Sequence, residues 1–253
     1  MGAEPIIETG VGATLSFVCD HVIAGAGLAV LRGGVGIGKS FALDRIKRDL
    51  ENQGVFVVMI TATEAISGNI NAFLRAILGH YHSETGSGAD AEEAVWALLA
   101  GYPFMAYGRR VILIVDEAQK LSGRVLETIR GLWDRGDEAR LGNPSARAFG
   151  CVLVGNPTFM SKGGAQRTAS FEPLISRLTH NMRLPGPNRA ECQSYAATIY
   201  TDAELAAELA EGGLARGNLR VMATAARSAR LLAGDGPVAL AHLRQAFKMM
   251  GGK

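Results

Sequence analysis

Runs of consecutive apolar residues recur along the first 186 residues, separated by stretches in which apolar positions have helical spacing. Four runs predict strands that are buried on both faces of a sheet: 28–31, 55–60, 111–115 and 151–154. A last strand is predicted at 182–185. Strands that alternate with helices indicate an α/β fold with three layers, in which helices cover both faces of a parallel sheet.

Apolar residues spaced three and four apart predict the helices between these strands, at 13–24, 42–50, 69–78, 94–99, 122–135 and 171–178. Beyond residue 187 only helical periodicity remains. It predicts a small all-α subdomain of four helices, with Asp202 as N-cap of the second and Pro237 in the first turn of the last. We therefore expect a core domain at 1–186 and a helical lid at 187–253.

The most informative stretch lies between the first predicted strand and the helix after it. It reads G-x-x-x-x-G-K-[ST] over residues 33–40, the pattern of a phosphate-binding loop. Glycines let backbone amides approach a phosphate closely, and a helix N-terminus attracts the anion. Lys39 would reach the β- and γ-phosphates of a nucleoside triphosphate, and the Ser40 hydroxyl would bind Mg²⁺. The nucleotide contacts are predicted at Gly33, Gly34, Val35, Gly36, Ile37, Gly38, Lys39, Ser40 and Phe41.

Polar residues follow two of the predicted strands directly. Asp116 and Glu117 end the strand at 111–115, 77 residues after Lys39, and Asn156 follows the strand at 151–154. Asp116 could hold the Mg²⁺ shell, and Glu117 could orient and activate an attacking water. Asn156 would contact the γ-phosphate or that water. The alternatives are a glycine-rich turn formed by chance and a strand that merely leaves into a polar loop.

Composition limits the class of protein. The chain has 253 residues, 48% of them hydrophobic and 20% charged, which suits a globular protein with a large core. No apolar run reaches the roughly 18 residues of a membrane span, and the first residues lack the layout of a signal peptide. Three scattered cysteines, Cys19, Cys151 and Cys192, form no disulfide or metal pattern. We expect a cytoplasmic protein.

The charge distribution is uneven although the net charge is only +2. From Arg216 onward seven basic residues face one acidic residue, so this stretch carries +6 and the rest carries −4. Such asymmetry can mark a face for an anionic partner, or an ordinary solvated face.

Several motifs together give the chain a resemblance to the AAA+ ATPases. They are the phosphate loop, the Asp116-Glu117 pair, the Asn after the fourth strand and an Arg that opens a lid helix. Within that superfamily, three segments resemble the transposition-regulator branch of the TniB, TnsC and phage Mu B proteins: Asp116–Leu121, Leu153–Pro157 and Gly217–Arg220.

This resemblance implies roles for further residues and for the whole protein. Asn156 would be sensor 1, Arg220 would be sensor 2, and Arg177 would be the arginine finger offered to a neighbouring subunit's nucleotide. The cofactors would be ATP and Mg²⁺. The protein would hydrolyse ATP, form a ring or helical filament on duplex DNA, and select or activate target sites for a transposase.

Two features differ from the resembling proteins. The residues before the phosphate loop are too few for the N-terminal DNA-binding domain of phage Mu B, so assembly through the core would have to suffice. The loop at 136–148 is also longer than expected. By resemblance, DNA contacts would come from loops after the second strand and around the third, where the alternative is ordinary solvent-facing polar groups: Thr63, Asn69, Asn71, Arg75, Lys120 and Arg124.

Two other functions stay open. A secretion-linked ATPase like ExeA would be expected to carry a membrane segment and a further C-terminal domain. A nucleotide-gated switch with little turnover would not need Glu117 as a base.

Overall fold

Five parallel strands form one sheet in a computed structural model that describes residues 7–79, 88–101, 110–135, 147–160 and 171–251. The order across the sheet is β2-β3-β4-β1-β5. The strands are β1 (Leu28–Arg32), β2 (Phe56–Thr61), β3 (Val111–Asp116), β4 (Gly150–Gly155) and β5 (His180–Arg183). The predicted α/β fold with a parallel sheet is confirmed.

The fifth strand begins two residues earlier than predicted. It is the last strand on one side of the sheet and, among the described residues, pairs with β1 alone, with Ala29 opposite His180 and Arg32 opposite Arg183. Its side chains alternate between partly buried and exposed positions. An edge strand of this kind does not need a continuous apolar run, which is why the apolar pattern misplaced it.

Helices occupy the intervals between the strands, as predicted. They are α1 (Gly10–Gly25), α2 (Lys39–Asn52), α3 (Glu64–Ser67), α4 (Ile70–Leu78), α5 (Gly88–Leu99) and α6 (Gly123–Asp134). Asn69 caps α4 by accepting from the Ala72 N–H at 3.0 Å, and Ser122 caps α6 in the same manner. Residues 171–175 are helical, and the predicted loop at 136–148 lies outside the described residues except for 147 and 148.

The chain divides into two compact units. The sheet unit comprises Leu15–Gly33 and Leu43–Arg183, and the helical unit comprises Met1–Thr14, Gly34–Ala42 and Leu184–Lys253. In the sheet unit, strands β1 to β4 and helices α4, α5 and α6 share one apolar core that includes Phe73, Ile129 and Phe149. The domain boundary at residues 186 and 187 stays a prediction.

Four helices follow in the helical unit: α7 (Arg189–Ile199), α8 (Ala203–Arg216), α9 (Leu219–Ala233) and α10 (Leu240–Met249). They pack around Leu209, Met222 and Phe247. A side chain at Gly212 would lie 2.2 Å from the Phe247 ring, so glycine permits this close packing.

Two sequence predictions concern the ends of these helices. Asp202 caps α8, as predicted, by accepting from the Glu204 and Leu205 N–H groups at 2.9 Å. The placement of Pro237 in a first helical turn was wrong, because α10 begins at Leu240. The Ala239 N–H there donates to His242 Nδ1 at 3.2 Å, which fixes the start of the helix after the proline. Within the described ranges, no helix has the length and apolar character needed to cross a membrane.

Candidate nucleotide site

The phosphate loop connects β1 to α2, which is the strand–loop–helix context that the motif predicts. Gly36 has φ +77° and Gly38 has φ +96°, a left-handed region that residues with a side chain rarely adopt. The loop starts at the carboxyl ends of β1 and β4, where the Gly33 N–H donates to the Gly155 carbonyl at 3.0 Å. These glycines therefore shape a loop whose amides can face an anion.

Lys39 is the first residue of α2 and is 93% buried, since only 7% of it is exposed. Its Nζ donates to the Gly34 carbonyl at 2.7 Å, so the ammonium lies against the loop that it would serve. Ser40 and Phe41 are exposed in the next two positions. A cation and a hydroxyl at the start of a helix suit a bound phosphate.

The first turn of α9 contacts the same loop inside the helical unit. The Arg220 N–H donates to the Gly36 carbonyl at 3.2 Å. A Cβ on residue 36 would lie 2.1 Å from Asn218 Oδ1, so the absence of a side chain at Gly36 allows Asn218 to approach. The exposed Arg220 guanidinium makes no ion pair or hydrogen bond with the described residues, which leaves it available for an anionic ligand.

Asp116 and Glu117 lie at the carboxyl-terminal edge of the sheet. Asp116 ends β3 and is 1% exposed, and its Oδ1 accepts from the Glu117 N–H at 2.8 Å. Glu117 has φ +55°, an uncommon conformation for a residue with a side chain, and strain of this kind is frequent at functional sites. The chain therefore turns sharply directly after the buried carboxylate.

Asn156 follows β4, the strand next to β3, and lies at the same edge. Its Oδ1 accepts from the Thr158 N–H at 3.0 Å and from the Thr158 hydroxyl at 2.7 Å. Among the described residues its amide nitrogen has no hydrogen-bond partner. Asn156 can thus present a donor to an anion or a water.

Gln119 joins these two strand ends and was missed by the sequence reasoning. Its Nε2 donates to Glu117 Oε2 at 2.7 Å, and its Oε1 accepts from the Asn156 N–H at 3.0 Å. Lys120 Nζ lies 3.8 Å from the same Glu117 oxygen. The one feature of the sequence that could have indicated this role is the position of Gln119, two residues after the presumed base Glu117.

Each unit offers an oxygen donor of the kind that Mg²⁺ prefers. Ser40 contributes a hydroxyl in the helical unit, and Asp116 contributes a carboxylate in the sheet unit. In the described ranges no group of three or more His, Cys, Asp and Glu side chains could hold a metal. Mg²⁺ is commonly bound by one or two carboxylates together with substrate phosphates, and a single buried carboxylate such as Asp116 suits that mode of binding.

The three cysteines are all free and buried. Burial raises the pKa of the Cys19 thiol to about 12, and burial also raises the pKa of the fully enclosed Cys151. Burial is the main cause of the raised pKa of Cys192 as well. Since the thiolate is the nucleophile and metal ligand, burial disfavours the reactive form of these thiols.

Comparison with known proteins agrees with this geometry. The sequence profile described as "AAA domain" matches residues 22–161, more than half of the chain. The chain belongs to the AAA domain family. The match includes the phosphate loop, Asp116, Glu117 and Asn156, and the AAA fold implies ATP binding.

Two proteins similar to this chain have names that refer to target DNA. The ATP-dependent target DNA activator B proteins of Escherichia phages Mu and D108 are each 28% identical over 225 residues, which is 87% of this chain and 65% of the relative. The chain thus spans slightly less than two thirds of their length. The Aeropyrum pernix ORC2 protein has a similar fold, with a TM-score of 0.65, 18% identity, and coverage of 98% of this chain and 69% of that one.

Arg177 lies beyond the AAA domain match and contacts residues of its own chain. Its Nε contacts both carboxylate oxygens of Asp134 at 2.6 and 2.7 Å, and its NH1 donates to the Pro173 carbonyl at 2.8 Å. Arg130 also pairs with Asp134. Glu172, the acidic residue five positions before Arg177, makes no ion pair with it in the described part of the chain.

The six predicted DNA contacts are all exposed residues of the sheet unit. The Ser122 N–H donates to the Ser67 carbonyl at 2.7 Å and thereby ties the start of α6 to the segment after β2. The structure thus joins the two segments that carry these residues: Thr63, Asn69, Asn71, Arg75, Lys120 and Arg124.

Proposed function

We propose that this protein is an ATPase that assembles on duplex DNA and selects or activates target sites for a transposase. The observation that carries the proposal is the similarity to ATP-dependent target DNA activators. It extends over 225 residues, well beyond the AAA domain match at 22–161. A shared nucleotide core alone would not account for similarity of that extent. We expect the protein to act in the cytoplasm.

The phosphate loop would bind the triphosphate of ATP. Backbone amides around Gly36 and Gly38 would face the phosphate oxygens, and Lys39 would exchange the Gly34 carbonyl for the β- and γ-phosphates. Ser40 and Asp116 would hold Mg²⁺, which neutralises phosphate charge when bound. Arg220 would add a cation from the first turn of α9.

Glu117 would act as the general base of hydrolysis. Its carboxylate would accept a proton from the water that attacks the γ-phosphate. Asn156 would donate from its side-chain amide to that water or to the γ-phosphate. Hydrolysis then needs the charge that develops on the departing phosphate to be stabilised.

Arg177 would supply that stabilisation between subunits, so activity would depend on assembly into a ring or filament. Its guanidinium now binds Asp134. In an assembly it would leave Asp134 for the nucleotide of the neighbouring subunit. A surface arginine that already has a good partner is expected to move only for a stronger anion, such as a triphosphate.

Duplex DNA would bind the exposed surface that carries Arg75, Lys120 and Arg124. These cations would contact phosphates, with Thr63, Asn69 and Asn71 as neutral donors. Contacts of this kind carry no sequence information, which suits a protein that marks many target sites.

The test is duplex DNA binding with ATP, with ADP and without nucleotide, combined with phosphate release. We expect binding and assembly with ATP only, and measurable turnover. Lys39→Ala is the matched control and should lose the ATP dependence. DNA binding that is indifferent to ATP would contradict the proposal, and ATP-dependent binding without turnover would favour the nucleotide-gated switch.

A further inference from the structure

Gln119 connects two groups of the proposed hydrolytic site through one side chain. One end of its amide binds the Glu117 carboxylate at 2.7 Å, and the other binds the backbone of Asn156 at 3.0 Å. The two contacts lie at the ends of neighbouring strands, β3 and β4. Gln119 therefore spans the sheet edge at which hydrolysis would occur.

Only one orientation of the amide satisfies both contacts. An ionised carboxylate accepts hydrogen bonds and a backbone N–H donates them. The NH₂ group must therefore face Glu117 and the oxygen must face Asn156. The chemistry of the two partners fixes the side chain without any assumption about hydrogen positions.

The backbone around Gln119 is held in place. Residues Ala118–Lys120 form a turn of 3₁₀ helix, in which the Lys120 N–H donates to the Glu117 carbonyl at 2.9 Å. Ala118 is fully buried, which anchors the turn in the core of the sheet unit. The position of Gln119 relative to Glu117 is thus set by local structure.

The contact leaves one oxygen of Glu117 available. Gln119 and Lys120 both approach Oε2, whereas Oε1 accepts no hydrogen bond from the described residues. A base needs a carboxylate oxygen that is oriented and able to accept a proton. The amide of Gln119 fixes the carboxylate by one oxygen and leaves the other for a water.

We propose that Gln119 is a positioning residue that orients Glu117 for proton transfer and couples it to the end of β4. This inference rests on the proposed function, because it needs Glu117 to be the base. A shift of the Asn156 backbone is transmitted to the Glu117 carboxylate through the single side chain of Gln119. The competing role is purely structural, in which the hydrogen bond from the Asn156 N–H to Gln119 only holds the 3₁₀ turn against the end of β4.

The variant Gln119→Glu separates the two roles. A glutamate of nearly the same shape still accepts from the Asn156 N–H, so the tie to β4 remains. It cannot donate to Glu117 and places a second carboxylate beside it. We expect the hydrolysis rate at saturating ATP to fall at least tenfold, with the Kd for ATP changed less than threefold. Gln193→Glu, at an exposed position of α7, is the control and should hydrolyse ATP at the wild-type rate.

A double-mutant cycle completes the test, with Gln119→Leu as a second variant that removes both contacts. We expect Gln119→Leu to slow hydrolysis in the wild-type background and to add nothing in a Glu117→Gln background. An equal additional loss in both backgrounds, or wild-type hydrolysis by Gln119→Glu, would overturn the inference alone. Wild-type hydrolysis by Glu117→Gln would instead remove the base from the proposed function, and the inference with it.

Discussion

Replacing Arg177 by alanine tests whether hydrolysis is completed between subunits. A finger that stabilises the charge on the departing γ-phosphate contributes about 10³–10⁵ in rate in known enzymes. We expect Arg177→Ala to lose at least a thousandfold in DNA-dependent phosphate release at saturating ATP. Binding of ATP to the isolated subunit, measured by calorimetry, should change little because Arg177 binds Asp134 in its own subunit.

The cost in stability should be small and can be measured separately. The ion pair joins side chains that are 35% and 20% exposed, so solvent screens it, and we expect a loss of about 1 kcal/mol. For a chain of this size that corresponds to a shift in Tm of about 2–4 °C. Arg130→Ala is the matched control, because Arg130 also pairs with Asp134. It should lose similar stability and keep hydrolysis within about threefold.

Mixing variants decides between a finger and a structural arginine. Subunits with Arg177→Ala retain an intact nucleotide site, and subunits with Lys39→Ala retain the arginine. Their mixture on DNA should recover part of the activity that each lacks alone. Wild-type hydrolysis by Arg177→Ala, without recovery in any mixture, would refute the reasoning and leave Arg177 with a structural role beside Asp134.

Three further substitutions concern the nucleotide site directly. Lys39→Ala removes a charge-assisted contact worth about 1.5–3 kcal/mol, so calorimetry should show at least tenfold weaker ATP binding; unchanged affinity would contradict the loop assignment. Glu117→Gln should bind ATP and hydrolyse it only at a low residual rate, giving DNA complexes that persist longer in a filament assay. A wild-type rate of phosphate release would exclude Glu117 as the base. Gly36→Ala places a Cβ at a backbone position with φ +77°, and this Cβ would lie 2.1 Å from Asn218 Oδ1, so ATP affinity should fall. Gly68→Ala is the control, because a Cβ on residue 68 would meet no atom within 4 Å.

The central strands and the phosphate loop could be predicted because their determinants are local. Strands β1 to β4 are buried on both faces and therefore read as apolar runs, and the loop has a spacing that its chemistry requires. The helix starts at Ser122 and Asp202 could be predicted because a capping side chain acts within three residues. Short elements such as Glu64–Ser67 have too few residues to show a period.

The partners of the candidate catalytic residues could not be predicted in this way. Arg177 pairs with Asp134, 43 positions away, rather than with a neighbour in sequence. Gln119 reaches Asn156, 37 positions away, because β3 and β4 happen to be adjacent in the sheet. Such contacts depend on the order of the strands in the sheet, and this order cannot be read from the pattern of a single sequence. The sequence could therefore indicate which residues are reactive but not what holds them.

These partners bear on when hydrolysis could begin. Lys39 is held by Gly34, Arg177 by Asp134 and Glu117 by Gln119, and each contact is at most 2.7 Å long. A nucleotide could replace the first contact within one subunit, since a triphosphate is a stronger partner for an ammonium than a carbonyl. If Arg177 is the finger, the second contact would be replaced when a neighbouring subunit brings its nucleotide near. Binding of ATP would then precede assembly, and hydrolysis would follow assembly, because Arg177 would leave Asp134 only for that nucleotide.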